Sequence, residues 1–315
     1  MLLIYICKRL GLAAVTVLVA MAMLFVTIYV VPGDPASIAL GPLATPAIKA
    51  QFRAKLGLDR PLPVQFWRFT SAAATGDLGT DVMNDRPVAR EVGEALPFTL
   101  ILSAAGIGWA IVLGIPLGCV SALWRGGVVD RALGVVSIGS IAVPSFVVAL
   151  YSLLLFAVML QWLPAIGAGA RGDPWDQFVH LILPAFAIGL GWVGYLARLV
   201  RASMLEVLGE AHIRTARAFG LPERMIVFRY ALKLAVLPTV ALLGVGVGRL
   251  LSGAVFAEIV FSRPGVGKLV FDGVLARNFP LVSGTVLVTT VFFVLCTLAA
   301  DLMAAWLDPR VRGGL

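Results

Sequence analysis

Residues 11–32 run for about 20 positions without one charged side chain, the length a helix needs to cross the hydrocarbon core of a bilayer. Apolar runs of spanning length recur at residues 96–124, 132–160, 178–196, 236–256 and 281–306, the last two with one charge each, Arg249 and Asp301. Lipid offers no hydrogen bonds, so a backbone that enters it must satisfy its own N–H and C=O groups, and runs this long do so as helices. Composition agrees: 60% of residues are hydrophobic, only 13% are charged, and the mean hydropathy is +0.98. A soluble domain carries about a quarter charged residues. The expected fold class is all-α, a polytopic membrane protein with six transmembrane helices. The first run follows Lys8 and Arg9, as a signal peptide would. It exceeds the usual 7–15-residue signal core and no Ala-x-Ala site follows, so it reads as a retained helix.

The charges orient these spans. The amino end (Lys8, Arg9), the 125–131 link, the 198–233 link and the tail after residue 307 share one side if there are six spans. Together they hold 13 basic residues (2 + 2 + 7 + 2). The long loop at 34–94 balances seven basic against seven acidic residues. The positive-inside bias therefore places both termini and the Arg-rich 198–233 link in the cytoplasm. On this reading residues 1–94 form an N-terminal helix with an external loop, and residues 95–315 a five-helix core with a cytoplasmic loop at 198–233. The net charge of +8 follows from this topology signal and does not call for nucleic acid.

Catalytic signatures are absent. Cys7, Cys119 and Cys296 lie in or beside apolar runs, with spacing that suggests neither a disulfide framework nor a metal site. His180 and His212 are the only histidines, and no HExxH or GxSxG motif occurs. "SRPGVGKL" (262–269) imitates a phosphate-binding loop. That motif needs Gly where Ser262 stands and Ser or Thr where Leu269 stands. It reads as a turn, and the chain shows no ATPase site of its own. Arg249, Glu258 and Asp301 fall within or near spans, where an ionisable group usually faces a cavity or a partner. Arg249 lies on the glycine-rich run "GVGVGRLLSG", whose small residues permit close helix approach. These three are candidates for a translocation path or a subunit interface. Glu258 and Asp301 also fit near helix ends, where water lowers the cost.

The Arg-rich link predicts a helix from about Arg198 to a stop at Gly220, then a second helix opened by Pro222 and Glu223. Three uses compete: a basic surface against anionic lipid, a nucleic-acid contact, and a docking knob for a cytoplasmic partner. Phe219, Leu221 and Met225 around the turn favour docking, because apolar side chains there would otherwise meet only water.

The link reads "RASMLEVLGEAHIRTARAFGLPE" and then "ALKLAVLP". It is flanked in order by "VPGDPA", "GLDRPLPVQFWRF", "GDLG", "ALPFTL", "VPSFVVAL", "WLPAIG", "HLILPAF", "AEIVFSRPGVGKL" and "DPRVR". This order resembles the permease subunits of ATP-binding-cassette importers, in the dipeptide/oligopeptide/nickel branch, of the B type. His212 and Phe219 replace the Tyr and Lys usual in that branch, and Arg214-Thr215-Ala216 replaces Glu-Ala-Ala. The resemblance implies a type I importer permease fold. It implies a second homologous permease subunit, two ATPase subunits that bind ATP and magnesium, and an external substrate-binding protein. This chain would bind no cofactor or metal and catalyse nothing covalent. Thr215, Ala216, Arg217, Ala218, Phe219, Gly220, Leu221, Pro222 and Glu223 would form the coupling turn seated on an ATPase. Di- and oligopeptides lead as substrates, with nickel chelates, glutathione and other small solutes as alternatives. From other classes, an ion-coupled secondary transporter and a membrane scaffold remain open.

Overall fold

The computed structural model describes residues 2–30, 45–56 and 59–307. Among these residues the chain is helical, with an isolated bridge between Thr80 and Pro87 and no strand. It forms two compact units: residues 1–97 with 264–298, and residues 98–263 with 299–315.

The first unit contains α1 (Leu2–Val30), α2 (Pro46–Leu56), α3 (Leu62–Ala74), the start of α4 (Val88–Trp109), α13 (Val266–Leu275) and most of α14 (Phe279–Leu307). Its core joins Val88, Val92 and Leu281, backed by Leu78, Leu269 and Val288. Phe25 of α1 meets Phe66 of α3 edge-on, with ring centroids 5.4 Å apart. The buried Asp81 carboxylate accepts a 2.6 Å hydrogen bond from Asn278, tying the 77–87 turn to the segment before α14. The expectation of a bare turn at 262–269 is only half met. Ser262 has φ 46°, but α13 begins at Val266, so Gly267 and Lys268 are helical and Lys268 pairs with Asp272 at 2.8 Å.

The second unit is built around α8 (Pro174–Leu208). Around it stand the rest of α4, α5 (Ile115–Leu123), α6 (Val128–Ala142), α7 (Ser145–Ser152) and α12 (Leu237–Val260). α4 and α5 are joined by a π-helical turn at Ala110–Gly114. Pro116 follows it and has no N–H to give, which favours a widened turn just upstream. Small residues let α8 approach its neighbours closely. A Cβ on Gly118 would stand 2.8 Å from the Val200 Cβ, and one on Gly194 would collide with the Ser140 hydroxyl.

Two sequence expectations change here. The span expected at 132–160 is two helices bent by 101° where Val143 and Pro144 interrupt them. Proline lacks the N–H that would continue α6, and it pushes the preceding residue into extended geometry, seen as φ −83°, ψ 122° at Val143. The span expected at 178–196 and the link helix expected from Arg198 are one helix of 35 residues, about 50 Å long. A hydrocarbon core is about 30 Å thick, so α8 must project well beyond it. No Gly or Pro falls between Leu196 and Leu208 to stop it. At its start Asp173 accepts hydrogen bonds from the N–H groups of Trp175 and Asp176, with Pro174 in the first turn.

By length and composition, four described helices suffice to cross a membrane: Arg9–Val26, Val88–Leu123, Pro174–Leu208 and Phe279–Ala299. The bent pair makes a fifth. α12, with 24 residues, occupies the place of the remaining expected span.

Candidate functional site

The Arg-rich link departs from expectation in one respect. Its first helix does not run to Gly220 but breaks at Gly209 and Glu210, where the chain turns extended (ψ 157° at Glu210). α9 (Ala211–Ala218) then leads to the corner. The Gly220 N–H donates to the Arg217 carbonyl at 2.9 Å and the Leu221 N–H to the Ala216 carbonyl at 3.3 Å. That reciprocal pair needs a left-handed residue at Gly220, and its φ is +73°. Pro222 caps α10 (Glu223–Met225), which continues as a π-helical segment, Ile226–Ala231, and α11 (Leu232–Ala235).

The sequence had grouped Phe219, Leu221 and Met225 as exposed. Only Phe219 stands clear, at 81% exposure. Leu221 turns inward and Met225 is half-buried. The reason is amphipathicity: Ile213, Ala216, Ile226, Val227, Ala231 and Ala235 share one buried cluster with Val200, Met204 and Val207 of α8 and with Cys119 and Ala122 of α5. Across the corner the Arg217 Nε donates to Glu223 at 2.7 Å, and this bond raises the Arg217 pKa. Thr215 bonds back to the Ala211 carbonyl, and Ala218 ends α9. The result is a rigid corner carrying one exposed aromatic ring, set on a core continuous with the long helix.

Further along α8, near the bend, lies a cavity of about 450 Å³. Val143, Pro144 and Ser145 of the bend, Gly191, Trp192 and Tyr195 of α8, and Gly246, Leu250 and Gly253 of α12 line it. None of its described lining residues is charged. Trp192 lies over Gly246, where any side chain would collide with the ring. Sequence reading missed Trp192 and Tyr195; the one available signal was their place beside the glycines of "GLGWVGY".

Of the three ionisable candidates, one side chain lies among the described residues. Glu258 is fully buried and accepts a 2.6 Å hydrogen bond from Thr99 of α4. Arg249 lies on α12 and Asp301 on α14, and their side chains fall outside the described residues. Two buried ionic residues were counted in the sequence only as charges. Arg263 packs over the Phe98 ring at 5.7 Å from its centroid. Asp130 pairs with Arg201 at 2.7 Å.

Compared with known proteins, residues 114–313 match the family model described as the inner membrane component of binding-protein-dependent transport systems, and residues 1–103 match that family's N-terminal model. The chain belongs to this permease family. The glutathione transport system permease protein GsiC of Pectobacterium atrosepticum is 37% identical over 308 residues, covering 98% of each chain. Its counterparts in Salmonella paratyphi A and Escherichia coli are 36% and 35% identical over the same length. Among solved structures, an inward-facing MetNI methionine ABC transporter aligns with TM-score 0.57 and 17% identity, covering 69% of this chain and 96% of that one. This likeness is one of fold. The permease is thus an all-α transport subunit of an ABC importer and a multi-pass protein of the bacterial inner membrane. It has the type I importer permease fold.

Proposed function

We propose that this permease helps import short peptides, glutathione-sized molecules among them, by forming a path with a second homologous permease subunit. Two ATPase subunits bind ATP and magnesium and supply the work, and an external binding protein delivers the solute. This chain holds no cofactor or metal, hydrolyses nothing and contacts no nucleic acid. Both of its termini face the cytoplasm. The observation that carries the reading is the corner at Thr215–Glu223, which presents Phe219 outward while its inner face is fused to the helix that borders the cavity.

Peptide as the solute class rests on the relatives named for glutathione, itself a tripeptide, and on the cavity. At about 450 Å³ the cavity falls in the range of small-molecule sites, about 300–1,000 Å³. Its described lining, uncharged and partly aromatic, suits solutes whose charges differ while their backbone and size are shared. Arg249 and Asp301 contribute to this path or to the subunit interface, whereas Glu258, fully buried against Thr99, acts in packing within the chain. Reconstitution of both permeases and both ATPases in liposomes, with the cognate binding protein outside, tests the proposal using labelled glutathione, dialanine and trialanine. ATP-dependent uptake of at least one is expected. Uptake of none, alongside uptake of a nickel chelate, would refute the peptide reading.

Phe219→Asp and Gly220→Pro should each cut uptake more than 10-fold while leaving insertion intact. The first puts a charge where an apolar ring must dock, and the second forbids φ +73°. Native uptake in both would refute docking.

A further inference from the structure

The Asp130 carboxylate accepts four hydrogen bonds. Arg201 donates from Nε at 2.7 Å and Nη2 at 2.8 Å, the Ser121 hydroxyl donates at 2.6 Å, and the Gly126 N–H at 2.9 Å. The Asp130 side chain is only 8% exposed while that of Arg201 is 34% exposed, so the carboxylate end of the pair is the part shielded from salt. It gathers three elements at one point: the end of α5, the first turn of α6 and the projecting part of α8.

Each element leads somewhere. Seven residues beyond Arg201, α8 ends in the cluster that carries the Phe219 corner, and α5 contributes Cys119 and Ala122 to the same cluster. α6 runs the other way, about 20 Å, to Ile141, Val143 and Pro144 in the cavity wall. Along that path α6 meets α8 again, where Ser137 and Ser140 leave no room for a Cβ at Gly194. An apolar contact at Asp130 would let α6 slide or rotate against α8. A two-pronged guanidinium–carboxylate pair fixes distance and orientation together.

We propose that Asp130 and Arg201 are positioning residues that lock α6 to α8, so that displacement of the Phe219 corner reaches the bend in the cavity wall. This inference rests on the coupling role proposed above. The test uses the complete importer in proteoliposomes with its binding protein, and whichever peptide probe the native importer takes up. Arg201→Lys keeps the charge and loses the fork; Asp130→Ala removes the acceptor. Each should lower uptake per ATP hydrolysed about 5–10-fold, with ATP hydrolysis in the absence of binding protein within twofold of native. The Asp130→Ala/Arg201→Ala double variant should be no worse than the single ones.

Spin labels at the exposed Val135 and Ala202 provide a second readout, in a background with Cys7, Cys119 and Cys296 changed to Ala. Native protein should keep one α6–α8 distance through a vanadate-trapped cycle, and Arg201→Lys should split or broaden it. A native uptake ratio in both single variants overturns the proposal, and so does a lost ratio with an unchanged distance. Should either variant fail to assemble, Ser121→Ala removes a single donor; about a twofold loss supports the linkage, and native ratio and distance overturn it. Failure of the underlying reading looks different: Phe219→Asp would then leave uptake native.

Discussion

A buried carboxylate and a missing side chain set the residue-scale energetics. Thr99 donates to Glu258 from the neighbouring helix, with both groups out of solvent. Thr99→Val keeps the shape and deletes the donor, so a loss of about 1–3 kcal/mol is expected in thermal or denaturant unfolding of the detergent-purified protein. Glu258→Gln keeps an acceptor for Thr99 and should cost less. Equal losses would show that the charge, not this bond, governs the site. At Gly194 the cause is steric. Gly194→Val drives a branched side chain into the Ser137 and Ser140 backbone and hydroxyl, and overpacking of this kind costs about 1–3 kcal/mol. The same unfolding measurement should register it as a lowered midpoint.

At the scale of elements, a helix break and a helix continuation matter most. The bend between α6 and α7 depends on Pro144, whose missing N–H prevents the α6 ladder from continuing. Pro144→Ala restores that donor and lets the two arms straighten. Ser145 lines the cavity, so a Ser145→Cys probe should react with a water-soluble maleimide in a chain whose Cys7, Cys119 and Cys296 are changed to Ala. It should react several-fold more slowly when Pro144→Ala is added. Equal labelling rates would mean that packing against α8, and not the proline, holds the bend. The continuation of α8 past the bilayer has the opposite cause: nothing in "ARLVRASMLEVL" interrupts it, so the helix carries the membrane span straight into the link.

For the molecule as a whole, the proposed division of labour with partner ATPases sets the expectation. The permease offers a cavity with no charge among its described lining and a corner with one exposed ring. Purified alone in liposomes, it should neither hydrolyse ATP nor accumulate peptide when a proton gradient is imposed. Gradient-driven uptake by the chain alone would instead indicate an ion-coupled carrier with Glu258, Asp301 or Arg249 as its relay.

The membrane character, the helical class and the corner at Gly220 were legible in the residues themselves, because each rests on local physics. Uncharged runs must satisfy their own backbones in lipid, and a glycine before Leu-Pro-Glu supplies the left-handed residue that a helix end needs. The family, too, was readable from the order of short motifs. What only the tertiary structure decided depends on neighbours distant in sequence. Asp130 and Arg201, 71 residues apart, look in the sequence like two topology charges, and only folding brings them to 2.7 Å. Leu221 turned inward because the α5 and α8 surfaces left an apolar seat for it. Trp192 and Tyr195 became cavity walls because the bend at Pro144 and the glycines of α12 left space beside them.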